Sequence, residues 1–113
     1  MTLELRSLLN QLRDELRGAL GDNLERMTLY GSQARGDALP DSDVDILIVL
    51  RQVDESAQEI IHQIAYRLMW ERDFQHLLAL NIMDNGHYHL LRDRRSAYLN
   101  NVEREGQLLW SAT

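Results

Sequence analysis

Two aspartates separated by a single residue, Asp43 and Asp45, stand at the head of an apolar, β-branched run that ends at Leu50. If that run is a strand, side chains two apart share a face, which brings the two carboxylates close enough to share cations. Two like charges so placed repel each other unless something neutralises them. Magnesium suits the purpose, because it prefers carboxylate oxygens, keeps several waters and completes its shell with substrate phosphates. The residue types and their spacing therefore point to phosphate chemistry.

Upstream lies the second half of such a site, Gly31-Ser32-Gln33-Ala34-Arg35-Gly36. A glycine there lets backbone N–H groups approach a phosphate, and the Ser32 hydroxyl can donate to it. Arg35 offers a planar, permanently charged fork of donors for a triphosphate, and Ser42, directly before the acid pair, is grouped with these as a phosphate-side residue. Taken singly, each half has a plainer reading: Gly-Ser after a strand is usually a turn, and an isolated Asp-x-Asp is a weak metal signal. Their combination carries the argument, since small residues closing one strand and paired acids opening the next set phosphate donors against metal ligands.

The elements that position them follow from periodicity. Leu5, Leu8, Leu9, Leu12, Leu16 and Leu20 recur at helical spacing over 3–20, with Thr2 and Gly21 as caps. A half-buried strand is expected over 24–30, then a turn, a short helix and a loop up to Pro40, then a central strand over 42–50 covered on both faces. Ile60, Ile61, Ile64, Ala65, Leu68 and Met69 mark a second helix, from near Asp54 or Ser56 to near Arg72. A third strand is expected over 75–83, with Asp84-Asn85-Gly86 as a turn. The remainder reads as helical, with Tyr98, Leu99 and Val102 on one face and Gly106 as its stop. This α-β-α-β-α-β-α order predicts one α/β (α+β) domain over 1–113, a small mixed sheet flanked by helices.

Bulk properties narrow the function classes. With 44% hydrophobic and 27% charged residues the composition is that of a globular protein. A formal net charge of -6 argues against direct nucleic-acid binding. The sequence has no cysteine, which removes thiolate metal sites and Cys nucleophiles. No apolar run approaches membrane-spanning length and no targeting signal is visible, so a cytoplasmic location without membrane attachment is expected.

Gly31-Ser32, the ten residues Gln33 to Ser42, and Asp43-Val44-Asp45 together resemble the signature of the DNA polymerase β-like nucleotidyltransferase superfamily. The fuller string Gly-Ser-Gln-Ala-Arg-Gly followed by Ser-Asp-Val-Asp is similar to the small MNT (minimal nucleotidyltransferase) group, many of whose members are MntA-type antitoxins paired with a HEPN-domain ribonuclease toxin. The resemblance implies a polymerase β-like fold, ATP as substrate, two Mg2+ ions held by Asp43 and Asp45, and a hetero-oligomer with the toxin. It implies transfer of AMP to a toxin tyrosine, as in type VII-like toxin-antitoxin pairs. Negative charge and bulk added near an RNA-cutting site would block it, and an acidic enzyme suits a basic, RNA-binding partner.

The sequence departs from the pattern at one place. Many polymerase β-like enzymes carry a third carboxylate on a later strand, but Leu77 to Met83 contains none. Asn81 can offer a carbonyl but no general base, and Asp84 is a displaced third acid only if its turn curls inward. His62, His76, His87 and His89 make no metal set, Arg92, Arg94 and Arg95 read as a solvated helix face, and Trp70 and Trp110 suit either core or interface. Two alternatives stand beside protein adenylylation: transfer to a small molecule, and a non-catalytic antitoxin that acts by binding alone.

Overall fold

A computed structural model describes residues 1–39 and 41–113; Pro40, in the expected loop, lies outside the described residues. Helix α1 (Leu3–Leu20) forms as its leucine spacing predicts. Thr2 Oγ1 accepts from Leu5 N at 3.1 Å, and Gly21, at φ 55°, ends the helix. Leu5, Leu8, Leu9, Leu12 and Leu16 are all buried. A 3-10 turn (Gly21–Asn23) leads into β1 (Leu24–Tyr30), and a one-turn helix α2 (Ser32–Arg35) follows.

Strand β2 (Val44–Leu50) runs antiparallel to β1, with Leu29 opposite Ile46 and Tyr30 opposite Asp45. Helix α3 (Glu55–Glu71), capped by Asp54 Oδ1 on Ala57 N at 2.7 Å, crosses over to β3 (Leu78–Asp84), which pairs parallel to β2 with Ala79 opposite Asp45. Helices α4 (Asn85–Asp93) and α5 (Ala97–Glu105) precede β4 (Gln107–Ser111), antiparallel to β1. The sheet order is β3-β2-β1-β4, a mixed four-stranded sheet.

Alternation along β2 divides the core in two. Val44, Ile46, Ile48 and Leu50 join the leucines of α1 and Ile61, Ala65 and Leu68 of α3. Leu47 and Val49 point the other way, to Tyr88 of α4 and Leu99 and Val102 of α5. Helices on both faces explain why β2 reads as an unbroken apolar run. No helix among the described residues is long and apolar enough to cross a membrane.

Three expectations are corrected. Strands β2 and β3 begin later than expected, at Val44 and Leu78. The Asp84-Asn85-Gly86 segment is the start of α4 rather than a free turn: Asp84 Oδ1 accepts from His87 N at 2.7 Å. Asp and Asn favour turns and helix N-termini for the same reason, a short side-chain oxygen that accepts from free backbone amides. Finally, the chain does not end in helix, because Gly106 turns it back along β1 as β4. A Cβ at Gly106 would overlap Val102 O and approach Thr28 Cγ2 to 2.7 Å and Leu29 O to 3.0 Å. Gly106→Ala is expected to destabilise the protein by about 1–3 kcal/mol, the usual cost of forcing an extra carbon into close packing. Urea unfolding measures this, and an unchanged midpoint would contradict the tight approach.

Candidate active site

The candidate residues meet at the end of the sheet where β1 stops and β2 starts. Val44 N donates to Leu77 O at 2.8 Å, which anchors the first residue of β2 to the approach of β3. The Val44 side chain is fully buried among the α1 and α3 side chains. Strand alternation then sends its neighbours, Asp43 just before the strand and Asp45 within it, to the opposite side. The acid pair is therefore created by burying the valine between them.

Gly31 supplies the facing wall. Its backbone, at φ 77° and ψ -158°, is open to glycine and hostile to other residues. A Cβ here would overlap Asp45 Oδ2 and lie 3.3 Å from its Cγ, so the peptide lies directly against the carboxylate. Gly31 O accepts from Ala34 N and Arg35 N, both at 3.1 Å, and this closes α2 with Ser32 at its head.

Burial first, and then the charge of Asp43, push the Asp45 carboxyl above its usual range, while Arg35 opposes them. A divalent cation would relieve that repulsion. Among the described residues no cluster of three or more His, Cys, Asp or Glu side chains could hold a metal. Two carboxylates nevertheless fit magnesium, which commonly takes one or two from the protein and the rest of its shell from water and phosphate.

The remaining predicted residues are placed less simply. Arg35 lies on α2 near enough to act on Asp45, but its guanidinium is paired with Asp37 and with Glu105 of α5, each at 3.2 Å. Ser42 closes its own loop: Oγ accepts from Leu39 N at 2.9 Å, and Ser42 N donates to Leu39 O at 3.0 Å. Gln33 Nε2 donates to Ser42 O at 3.5 Å, tying this loop to α2. Asp84 is not a displaced third acid. It pairs with Leu50 while Ala79 pairs with Asp45, so it lies five residues farther along parallel strands, about 16 Å away, and caps α4.

Sequence reasoning overlooked Tyr30 and Glu105 and gave Tyr98 only a core role. Tyr30 faces Asp45 across the ladder, and its ring meets Tyr98 edge-on at 5.6 Å between centroids. Alternation back from Gly31 would have found Tyr30. Tyr98 and Glu105 come from a helix whose docking no local pattern specifies. A concavity of about 670 Å3 lined by Arg17, Arg51 and Trp110 opens at the opposite end of the sheet, away from the acid pair.

Comparison with known proteins bears on the family and the fold. Two Methanocaldococcus jannaschii proteins assigned as protein adenylyltransferases are similar to the chain. One is 35% identical over 51 residues, which covers 45% of this chain and only 52% of the relative. The other is 29% identical and covers 88% of this chain and 80% of the relative. Among solved structures, a chain of a toxin-antitoxin complex with AMP-PNP shares the fold at a TM-score of 0.57 and 21% identity, covering 92% of this chain and 74% of that one. A second, from the tri-AMPylated Shewanella oneidensis HEPN toxin in complex with MNT antitoxin, does so at 0.50 and 20%, covering 95% and 73%. Residues 9–88, which carry Gly31, Ser32, Asp43 and Asp45, match the nucleotidyltransferase domain, and the chain belongs to that family.

Proposed function

We propose that this nucleotidyltransferase is the antitoxin of a type VII-like pair, and that it transfers AMP from ATP to a tyrosine of a HEPN ribonuclease toxin in the cytoplasm. The observation that carries the proposal is the Asp45 carboxylate, with Asp43 close enough to act on its charge, lying against the Gly31 peptide at the head of α2. The likeness to MNT antitoxins bound to HEPN toxins, and to proteins assigned as adenylyltransferases, supports the choice of partner and group transferred.

In this reading Asp43 and Asp45 hold Mg2+, which when bound supplies positive charge to the triphosphate and to the departing pyrophosphate. Gly31 and Ser32 receive the phosphates with backbone amides and a hydroxyl, and Arg35 exchanges its carboxylate partners for phosphate oxygens. The acceptor hydroxyl oxygen bonds to the α-phosphorus, the bond from that phosphorus to the β-bridging oxygen breaks, and pyrophosphate carries away the electron pair. The hydroxyl proton passes to solvent, for the β3 residue beside Asp45 is Ala79 and the strand's one carboxylate, Asp84, lies at its far end. An acceptor that ionises readily suits such a site, and a phenol, with a pKa near 10, is the most acidic hydroxyl among protein side chains.

A second reading, neutralisation by binding alone, is favoured by the same missing base. One experiment separates the two: the intact mass of a HEPN partner after incubation with this protein, ATP and Mg2+, beside an Asp43→Asn, Asp45→Asn control. Whole AMP units gained with the wild type only are expected. A tight complex with unchanged mass would retire the transferase reading in favour of occlusion.

A further inference from the structure

The family match ends at residue 88, yet α5, beyond it, reaches the site at both ends. At its C-terminus Glu105 holds Arg35. Near its N-terminus Tyr98 lies over the face of the sheet that carries Asp45. Asn81, two residues past Ala79 on β3 and on the same face, donates from Nδ2 to the Tyr98 hydroxyl at 2.7 Å. Tyr98 in turn meets Tyr30 edge-on, with planes 88° apart. Tyr30, the ladder partner of Asp45, is thus linked through Tyr98 to Asn81, three neutral polar side chains on the face that carries Asp45.

These contacts bear on where the Asp45 carboxylate can go. Gly31 confines it on one side, and Tyr30, its partner across the ladder, stands on another. Tyr98 packs edge-on against Tyr30, and Asn81 donates to the Tyr98 hydroxyl. Side chains behind a metal-ligating carboxylate govern its orientation and so the affinity of the site.

We propose that Tyr98, held by Asn81, is a positioning residue from outside the matched domain: it fixes Tyr30 against Asp45 and so sets the carboxylate pair for a divalent cation and its nucleotide. This rests on the nucleotidyl-transfer reading of the site. The sequence Asn81 to Tyr98 to Tyr30 to Asp45 acts as one unit, so breaking it anywhere has the same consequence.

The test is a double-mutant cycle read in binding, using Mn2+ with a non-hydrolysable ATP analogue and calorimetry. Tyr98→Phe keeps the ring and removes the hydroxyl, and Asn81→Ala removes the donor. Each is expected to weaken Mn2+ binding roughly tenfold, with melting temperatures close to wild type. The double variant is expected to bind no more weakly than the poorer single one, since residues acting as one unit are not additive. Singles that bind like wild type, losses that multiply in the double variant, or losses that follow melting temperature would each overturn the proposal. Wild-type protein that fails to bind the Mn2+ complex would defeat both readings. Wild-type protein that binds it but adds no AMP to a HEPN partner would defeat only the proposed transfer.

Discussion

Asp45→Asn is expected to make the metal-free protein more resistant to heat while reducing nucleotidyl transfer by roughly 10^3-fold or more, the scale of losing several kcal/mol of metal-borne charge stabilisation. Both effects have one origin. Burial and the neighbouring Asp43 raise the Asp45 carboxyl in the folded state, so the folded protein binds that proton more tightly than the unfolded chain does. Linkage then fixes the sign: the group's contribution is fully present below the ordinary carboxylate range and is lost as pH rises through the raised folded value. Above that raised value Asp45 is charged in both states and its penalty is fully developed. The variant's advantage should therefore be largest above the raised folded value and close as pH falls into the ordinary carboxylate range. Solvent screening of a partly exposed group keeps it below about 1 kcal/mol. Adding Mg2+ and a non-hydrolysable ATP analogue should reverse the order, because a ligand that binds only the folded state stabilises in proportion to the logarithm of its saturation. Calorimetric melting across pH, with and without the complex, measures all of this. A wild type that melts above the variant without ligand would contradict the strained-pair account.

The same pair shows how far a sequence reveals a site. Gly31-Ser32 and Asp43-Val44-Asp45 were legible because local rules place them: the strand end at Tyr30, the glycine after it and the alternation around buried Val44 all act within a few residues. Helices α1 and α3 were legible from apolar spacing and their caps, Thr2 and Asp54. Strand β4 was not, because its five residues lack clear alternation and are held to β1 by pairing set at Gly106. Asp84 misled for a related reason. The residues that suggested a turn curling toward the site also cap a helix, and only the parallel register of β3 places them at the sheet's far end. Tyr98, Asn81 and Glu105 gain their places through contacts between elements distant in sequence, which no window of periodicity contains.

Gly31→Ala is expected to damage both fold and function, and a companion variant separates the causes. Alanine must adopt φ 77° with an extended ψ, a region populated almost only by glycine and costing about 1–3 kcal/mol for other residues. Its Cβ must also displace the Asp45 carboxylate, whose Oδ2 occupies that space. A total loss of about 2–4 kcal/mol follows, with a melting temperature lower by roughly 10 °C or more. Cation binding should fall with it, since Asp45 can no longer keep its place beside Asp43. In Gly31→Ala, Asp45→Ala the carboxylate is gone and only the backbone strain remains, so the double variant should be more stable than Gly31→Ala alone and still inactive. Urea unfolding of the two proteins, beside Asp45→Ala as reference, gives the interaction energy directly. If the double variant lost as much as the separate costs added together, Gly31 would serve backbone geometry alone. Recovery of stability without recovery of transfer would show that glycine is required here because the peptide and the carboxylate must touch.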